Sequence, residues 1–260
     1  MLILALDTTT RAASCALSRD GVVLREDTFD PSRQLALQLP DALEAVLALA
    51  GAELREVDAF AVATGPGSFT GLRIGIATMQ GLAFAAEKPL IGISALTALS
   101  AVASPAFLGS RIATWIDAWR GDVYAALYED GRVAAEPVVA HPADLLDALA
   151  PRKEAPYTKG APYGDRGPAV LAANDILFIG DGAATYREMI LTRLGTAARI
   201  AEPASPLLSG IIAMLATIQY RNGHLPPPHA IRPLYVRRSD AELGREKVSG
   251  RLKPAPTLDK

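Results

Sequence analysis

The chain has 260 residues, with 26 basic and 28 acidic side chains, a formal net charge of −2 and a pI near 6.0. Half of the residues are hydrophobic, and a chain of this size buries about 70–75 % of its unfolded surface, so global disorder is excluded and roughly one to two domains are expected. The balanced charge argues against tight stand-alone nucleic-acid binding, which needs a basic stripe, but not against a subunit that touches RNA beside a more basic partner.

Residues 2–6, LILAL, form a continuous apolar run of the kind a strand buried on both faces shows. Residues 13–18 read as a second strand. Asp20-Gly21 is a two-residue hairpin signal, and Val22 to Thr28 reads as a third strand. Residues 39–50 read as an amphipathic helix, with Leu39, Leu43, Val46 and Leu47 on one face, Pro40 near its start and Gly51 just past its end. Val57 to Ala63 is a strand that leads into Thr64-Gly65-Pro66-Gly67-Ser68-Phe69-Thr70-Gly71, followed by a helix to about Ala86. Leu90 to Ile93 is another strand, and Ser94 is an N-cap candidate for the next helix.

After Ser104-Pro105 the pattern restarts. Arg111 to Asp117 and Asp122 to Tyr128 read as strands, Asp130-Gly131 as a hairpin turn, and His141-Pro142 as the opening of a helix through Leu149. Residues 151–168, rich in Pro, Gly, Lys and Tyr, read as a mobile loop. Ile176 to Ile179 is a strand ending in Gly180-Asp181-Gly182, with a helix to about Leu194. Pro206 to Tyr220 is a strongly apolar helix, and the tail after Gly223 carries Pro226-Pro227-Pro228. Two β-β-β-α blocks joined near residue 104 predict two related α/β lobes: 1–103 with 206–223, and 104–205, followed by an extended or disordered tail, 224–260.

One cysteine, Cys15, excludes an internal disulfide framework, and three histidines, His141, His224 and His229, give no metal-ligand spacing. No metal site is expected. The N-terminus lacks a basic n-region, and no run approaches the roughly 18 apolar residues of a membrane span. The expected location is the cytoplasm, with no membrane association. Ser68 and Ser209 lie in no GxSxG elbow.

Three segments have spacing that bears on chemistry. Leu6-Asp7-Thr8-Thr9-Thr10 places a carboxylate and hydroxyls in a tight turn after a buried strand. Such a turn either faces a phosphate and a hydrated Mg²⁺, or is an aspartate capping its own backbone. The glycine-rich segment fails the named phosphate fingerprints: GxGxxG would need glycine at Thr70, and a P-loop would need lysine where Leu72 stands. Its glycines, Gly67, Gly71 and Gly75, recur every four residues, and Gly81 follows Ala77 by four. Glycine inside a helix costs about 0.5–1 kcal/mol relative to alanine, so close backbone contact with another helix is expected, within the chain or in a second subunit. In the third segment, Trp115 to Asp122, bulky Trp119 and Arg120 stand where a second phosphate turn would need glycine.

Together, ILALDTTT, GPGSFTGLRIG (Gly65 to Gly75), IDAWRGDVY (Ile116 to Tyr124) and PLYVR (Pro233 to Arg237) resemble the bacterial TsaB (YeaZ) family from Met1 to about Arg238. The resemblance implies a two-lobed actin-like/Hsp70-like ATPase fold (ASKHA, ribonuclease H-like) with a degenerate nucleotide site. That site would be at Asp7, Thr8 and Thr9, requiring no cofactor and allowing weak ATP or ADP binding. It implies a subunit that is inactive alone and binds TsaD, the enzyme that forms N6-threonylcarbamoyladenosine at position 37 of tRNA. TsaE docks on the pair, and the chain forms a homodimer when TsaD is absent. In the family the two N-terminal-lobe helices, here about Leu35–Ala50 and Phe69–Ala86, make the contact. Leu39, Leu43, Phe69, Gly71, Leu72, Gly75, Ile76 and Met79 are the expected interface. Where family members often carry His-Ser-Glu, this chain has Gln34-Leu35-Ala36, and it lacks the His-x-x-x-His of the catalytic paralogues. The competing class is an ATP-dependent kinase-like enzyme or a metallopeptidase.

Overall fold

The computed structural model describes residues 1–10, 13–30, 35–103, 111–149 and 176–236; the predicted loop at 151–168 and most of the tail lie outside the described residues. Strand β1 (Leu2–Asp7) is central to the first sheet, between β2 (Ser14–Arg19) and β4 (Ala59–Gly65), with β3 (Val22–Thr28) and β5 (Leu90–Ser94) at the edges. β1–β2 and β2–β3 are antiparallel; β1–β4 and β4–β5 are parallel. The Asp20-Gly21 hairpin forms as its sequence predicts, with φ of 55° and 88°, the left-handed pair a type I′ turn requires.

The second sheet repeats this plan. β6 (Arg111–Asp117) is central, β7 (Val123–Glu129) and β8 (Arg132–Ala140) follow antiparallel, and β9 (Ile176–Ile179) and β10 (Ala198–Ile200) add in parallel. The spatial orders β3-β2-β1-β4-β5 and β8-β7-β6-β9-β10 are equivalent, so each lobe is one β-β-β-α-β-α-β block.

Alternation along β1 sorts the layers. Leu2, Leu4 and Leu6 join the apolar cluster under α1 (Leu35–Leu49) and α2 (Phe69–Ala85). Ile3 and Ala5 face the opposite way, into the cluster that holds α3 (Ala95–Ala103) and α7 (Ser209–Arg221). That second cluster also contains Ile112, Ile116, Leu177 and Ile179 of the other sheet, so α3 and α7 form a shared middle layer. The outer face of the second sheet is covered by α4 (Pro142–Leu149), α5 (Asp181–Thr185) and α6 (Arg187–Leu194), over Trp115 and Phe178 packed edge to face at 5.2 Å.

Helix α7 is held at its start by a side chain from β3. Glu26 Oε1 accepts from Ser209 Oγ at 2.8 Å and from the Gly210 N–H at 2.7 Å, which satisfies donors that the first turn of a helix leaves open.

The structure differs from the sequence reading at several boundaries. α1 begins at Leu35, so Pro40 lies inside the helix rather than near its start. The helix expected to run to Leu194 breaks at Tyr186 into α5 and α6. β10 carries no pattern long enough to read.

Candidate functional site

Asp7 ends β1 and is completely buried. Its Oδ1 accepts from the Thr9 N–H at 2.9 Å and from Thr9 Oγ1 at 2.6 Å. Its Oδ2 has no hydrogen-bond partner among the described residues. Burial pushes the carboxyl up to about 6; the two bonds from Thr9 pull it down, and the charges of Asp181 and Glu26 add to the rise.

The hydroxyl turn after Asp7 is closed by the chain itself. Thr8, Thr9 and Thr10 are buried. Thr8 Oγ1 donates to the Gly71 carbonyl at 2.8 Å, and the Ser68 N–H donates to the Thr9 carbonyl at 2.8 Å. Three glycines, Gly67 before α2 and Gly71 and Gly75 within it, make this approach possible. A Cβ at Gly71 would collide with the Thr8 carbonyl oxygen, one at Gly75 with the Thr8 hydroxyl, and one at Gly67 with the Thr9 carbonyl. Ser68 caps α2, its side chain accepting from the Gly71 N–H at 3.1 Å. Of the residues expected as a phosphate cradle, Thr8 and Thr9 have their hydroxyls bonded within the chain, while Asp7 Oδ2 alone keeps no partner among the described residues. The two bonds from Thr9 to Asp7 Oδ1 are those of an aspartate that caps the backbone following it.

The same geometry corrects the expected partner interface. Gly71 and Gly75 face Thr8, and Leu39, Leu43, Leu72, Ile76 and Met79 lie in the chain's own core. Their side of each helix is the inner one, because the large residues of β1 and β4 need a covering layer. Of the residues named, Phe69 alone is well exposed, at 40 %. The outer ridge of α2 instead carries Ala77, Gly81 and Ala85, all exposed, with nothing within 4 Å of a Cβ at Gly81. Large apolar side chains of the same two helices are also exposed: Leu37 and Leu49 on α1 and Phe84 on α2, the last 80 % exposed. Between the helices is a groove of about 520 Å³, lined by Pro40, Glu44, Ala48, Thr78 and Leu82 among others. The four-residue spacing of Ala77, Gly81 and Ala85 is visible in the sequence; which stripe faces outward is not.

In the second lobe, Asp117 Oδ1 accepts from the Trp119 N–H at 2.8 Å, and the Asp117 N–H donates to Asp181 Oδ1 at 2.9 Å. Trp119 and Arg120 both lie in the left-handed region, with φ of 54° and 60°, next to Gly121 at 87°, a conformation uncommon for bulky residues. Among the described residues, no group of three or more His, Cys, Asp or Glu side chains is placed to hold a metal ion, and no helix is long and apolar enough to cross a membrane.

Two duplicated lobes around a shared helical layer, with the strand-end aspartate turn in the first, define the two-lobed actin-like ATPase fold. A component of (R)-2-hydroxyglutaryl-CoA dehydratase from Acidaminococcus fermentans has this fold at 12 % identity, with a TM-score of 0.52 over 85 % of this chain and 99 % of that one. The family model described as "TsaD: tRNA N6-adenosine threonylcarbamoyltransferase" matches residues 29–244. The tRNA threonylcarbamoyladenosine biosynthesis protein TsaB of Escherichia coli is 42 % identical over 129 residues, 50 % of this chain and 55 % of that protein. The match thus spans about half the length of that relative. YeaZ from Pseudomonas aeruginosa is 30 % identical, with a TM-score of 0.67 over 90 % of this chain and 99 % of that one. The chain belongs to the TsaB (YeaZ) family.

Proposed function

We propose that this chain is the non-catalytic partner subunit that binds and supports a TsaD threonylcarbamoyltransferase in forming N6-threonylcarbamoyladenosine at position 37 of tRNA, in the cytoplasm. The observation that carries this reading is the open outer face of α1 and α2. Leu37, Leu49 and Phe84 are exposed on these helices, as is the α2 ridge of Ala77, Gly81 and Ala85, and a groove lined by both helices lies between them. A monomer rarely leaves such apolar surface uncovered unless it is an interface, and small residues let a second helix come close. The Asp7 turn supports the same reading, since its Thr8 and Thr9 hydroxyls are bonded within the chain.

The partner subunit lays its equivalent helices on this face, and a second copy of the chain takes the same place when the enzyme is absent. A TsaE homologue docks on the pair, and tRNA is met through the complex. The chain acts by ordering its partner's active site, a coupling typically of about 1–3 kcal/mol.

Co-purification with the TsaD homologue of the same organism, followed by a tRNA modification assay with and without this chain, tests the proposal. Modification should depend on the chain. Gly81→Leu should abolish association while leaving the circular dichroism of the monomer unchanged. Sustained ATP hydrolysis by the chain alone, lost in Asp7→Asn, would overturn the reading.

A further inference from the structure

Arg73 stands one turn before Ala77 on the outer ridge of α2. Its guanidinium lies over the Phe69 ring at 3.7 Å from the centroid. Its Nε donates to Tyr235 Oη at 3.0 Å, and the Tyr235 ring centroid is 5.9 Å away. Phe69 and Tyr235 in turn pack on each other, with centroids 5.4 Å apart. Tyr235 is brought here by a strap of the C-terminal segment. Gln80 Nε2 donates to the carbonyls of Pro228 and Ile231 at 2.9 and 3.1 Å, Ile231 is buried, and the Leu234 N–H donates to the Thr64 carbonyl at 2.7 Å.

Arg25, Arg55, Arg187 and Arg221 each sit within salt-bridge distance of an Asp or Glu of this chain. Arg73 has no carboxylate partner among the described residues, although two aromatic rings fix its plane and one of its donors is already bonded. A planar guanidinium held in this way loses little further freedom on binding and presents its remaining N–H groups as a fork for two oxygens.

We propose that Arg73 is a carboxylate receptor at the edge of the docking face, held by Phe69 and Tyr235 to take an Asp or Glu side chain of the protein subunit that seats on α1 and α2. This rests on the docking reading above. A protein carboxylate is favoured over a nucleic-acid phosphate by the neighbourhood. Arg73 is flanked by aromatic rings, Asp41 and Glu44 are exposed on the adjacent α1, and the chain as a whole is net negative. A phosphodiester backbone is gripped by several cations acting together.

The test uses the full chain and its TsaD homologue, with affinity measured at low and high salt. Arg73→Gln should weaken the complex about tenfold at low salt and flatten the salt dependence. Arg73→Lys should restore part of the affinity, since a point charge cannot reproduce the fork. Tyr235→Phe, which frees the guanidinium without removing its charge, should give a smaller loss in the same direction. If Gly81→Leu abolishes association but Arg73→Gln and Tyr235→Phe leave both affinity and salt dependence unchanged, the receptor is refuted while the docking face stands. If Gly81→Leu also has no effect, the docking face itself is wrong. If Arg73→Gln instead lowers the affinity of the complex for tRNA and leaves subunit association intact, the occupant is a phosphate and the proposal is overturned.

Discussion

The Thr8 hydroxyl donates to the Gly71 carbonyl at 2.8 Å, joining the first strand-turn of the chain to the first turn of α2. The contact brings two backbones together so closely that position 71 has no room for a methyl group. The contact fixes which side of α2 faces the first sheet.

Gly71→Ala should destabilise the monomer by more than about 2 kcal/mol, because the new Cβ meets a backbone carbonyl that cannot rotate away. Gly75→Ala meets only the Thr8 side chain. Its loss should shrink markedly in a Thr8→Ala background, whereas the Gly71→Ala loss should not. Urea denaturation of the two double-mutant cycles separates the cases.

Gly81→Ala should have the opposite sign. The position is helical and open, so the added methyl raises monomer stability by about 0.5–1 kcal/mol. A thermal melt that falls instead would place Gly81 against this chain rather than on its surface.

The buried Asp7 carboxyl gives the fold a pH dependence of definite sign. Unfolded, the group titrates near 3.8; folded, it is raised to about 6. Below the lower value both states are protonated. As pH rises between the two, the unfolded chain releases its proton while the folded chain retains it. Stability therefore falls by about 1.4 kcal/mol per pH unit, and the loss is complete above the folded value. Asp7→Asn removes this slope. Relative to the parent, the variant should gain about 1–2 kcal/mol between pH 5 and pH 7 in urea titrations; a constant difference would contradict the burial of the charge.

Cys15 lies in β2 with its thiol donating to the Ala42 carbonyl at 3.4 Å. Burial, with help from Asp27 and Glu26, pushes it up to about 12. The thiolate is the reactive form, so a disulfide reagent at neutral pH should leave the folded protein unmodified and titrate one thiol only after denaturation.

Glu26→Ala should cost about 1–2 kcal/mol by leaving the Ser209 hydroxyl and the Gly210 N–H without their shared acceptor. Glu26→Gln, which keeps an acceptor oxygen, should lose less. Equal losses in calorimetry would mean that charge, not the hydrogen bonds, holds the start of α7.

Much of the architecture is legible before any coordinates. A continuous apolar run places β1 because a strand covered on both faces cannot alternate, and Asp-Gly pairs place the hairpins at 20–21 and 130–131 because type I′ turns need two left-handed residues. β8 escapes direct reading, since an exposed edge strand such as Arg132–Ala140 has no buried stripe to show. The break at Tyr186 is hidden for a similar reason: α6 has an almost even scatter of polar and apolar residues.

From the residues alone, glycines repeated every four positions in α2 predict close contact with another helix; the contact is instead with the turn after β1, at Thr8. The sequence also determined the family, through motifs spread over most of the chain. Which small-residue stripe of α2 turns inward is settled by long-range packing. Gly71 and Gly75 point at Thr8 and Ala77 and Gly81 point outward, since the twist of α2 is fixed by burying Leu72, Ile76 and Met79 against the sheet. That choice depends on contacts between residues more than sixty positions apart, and no local pattern encodes it.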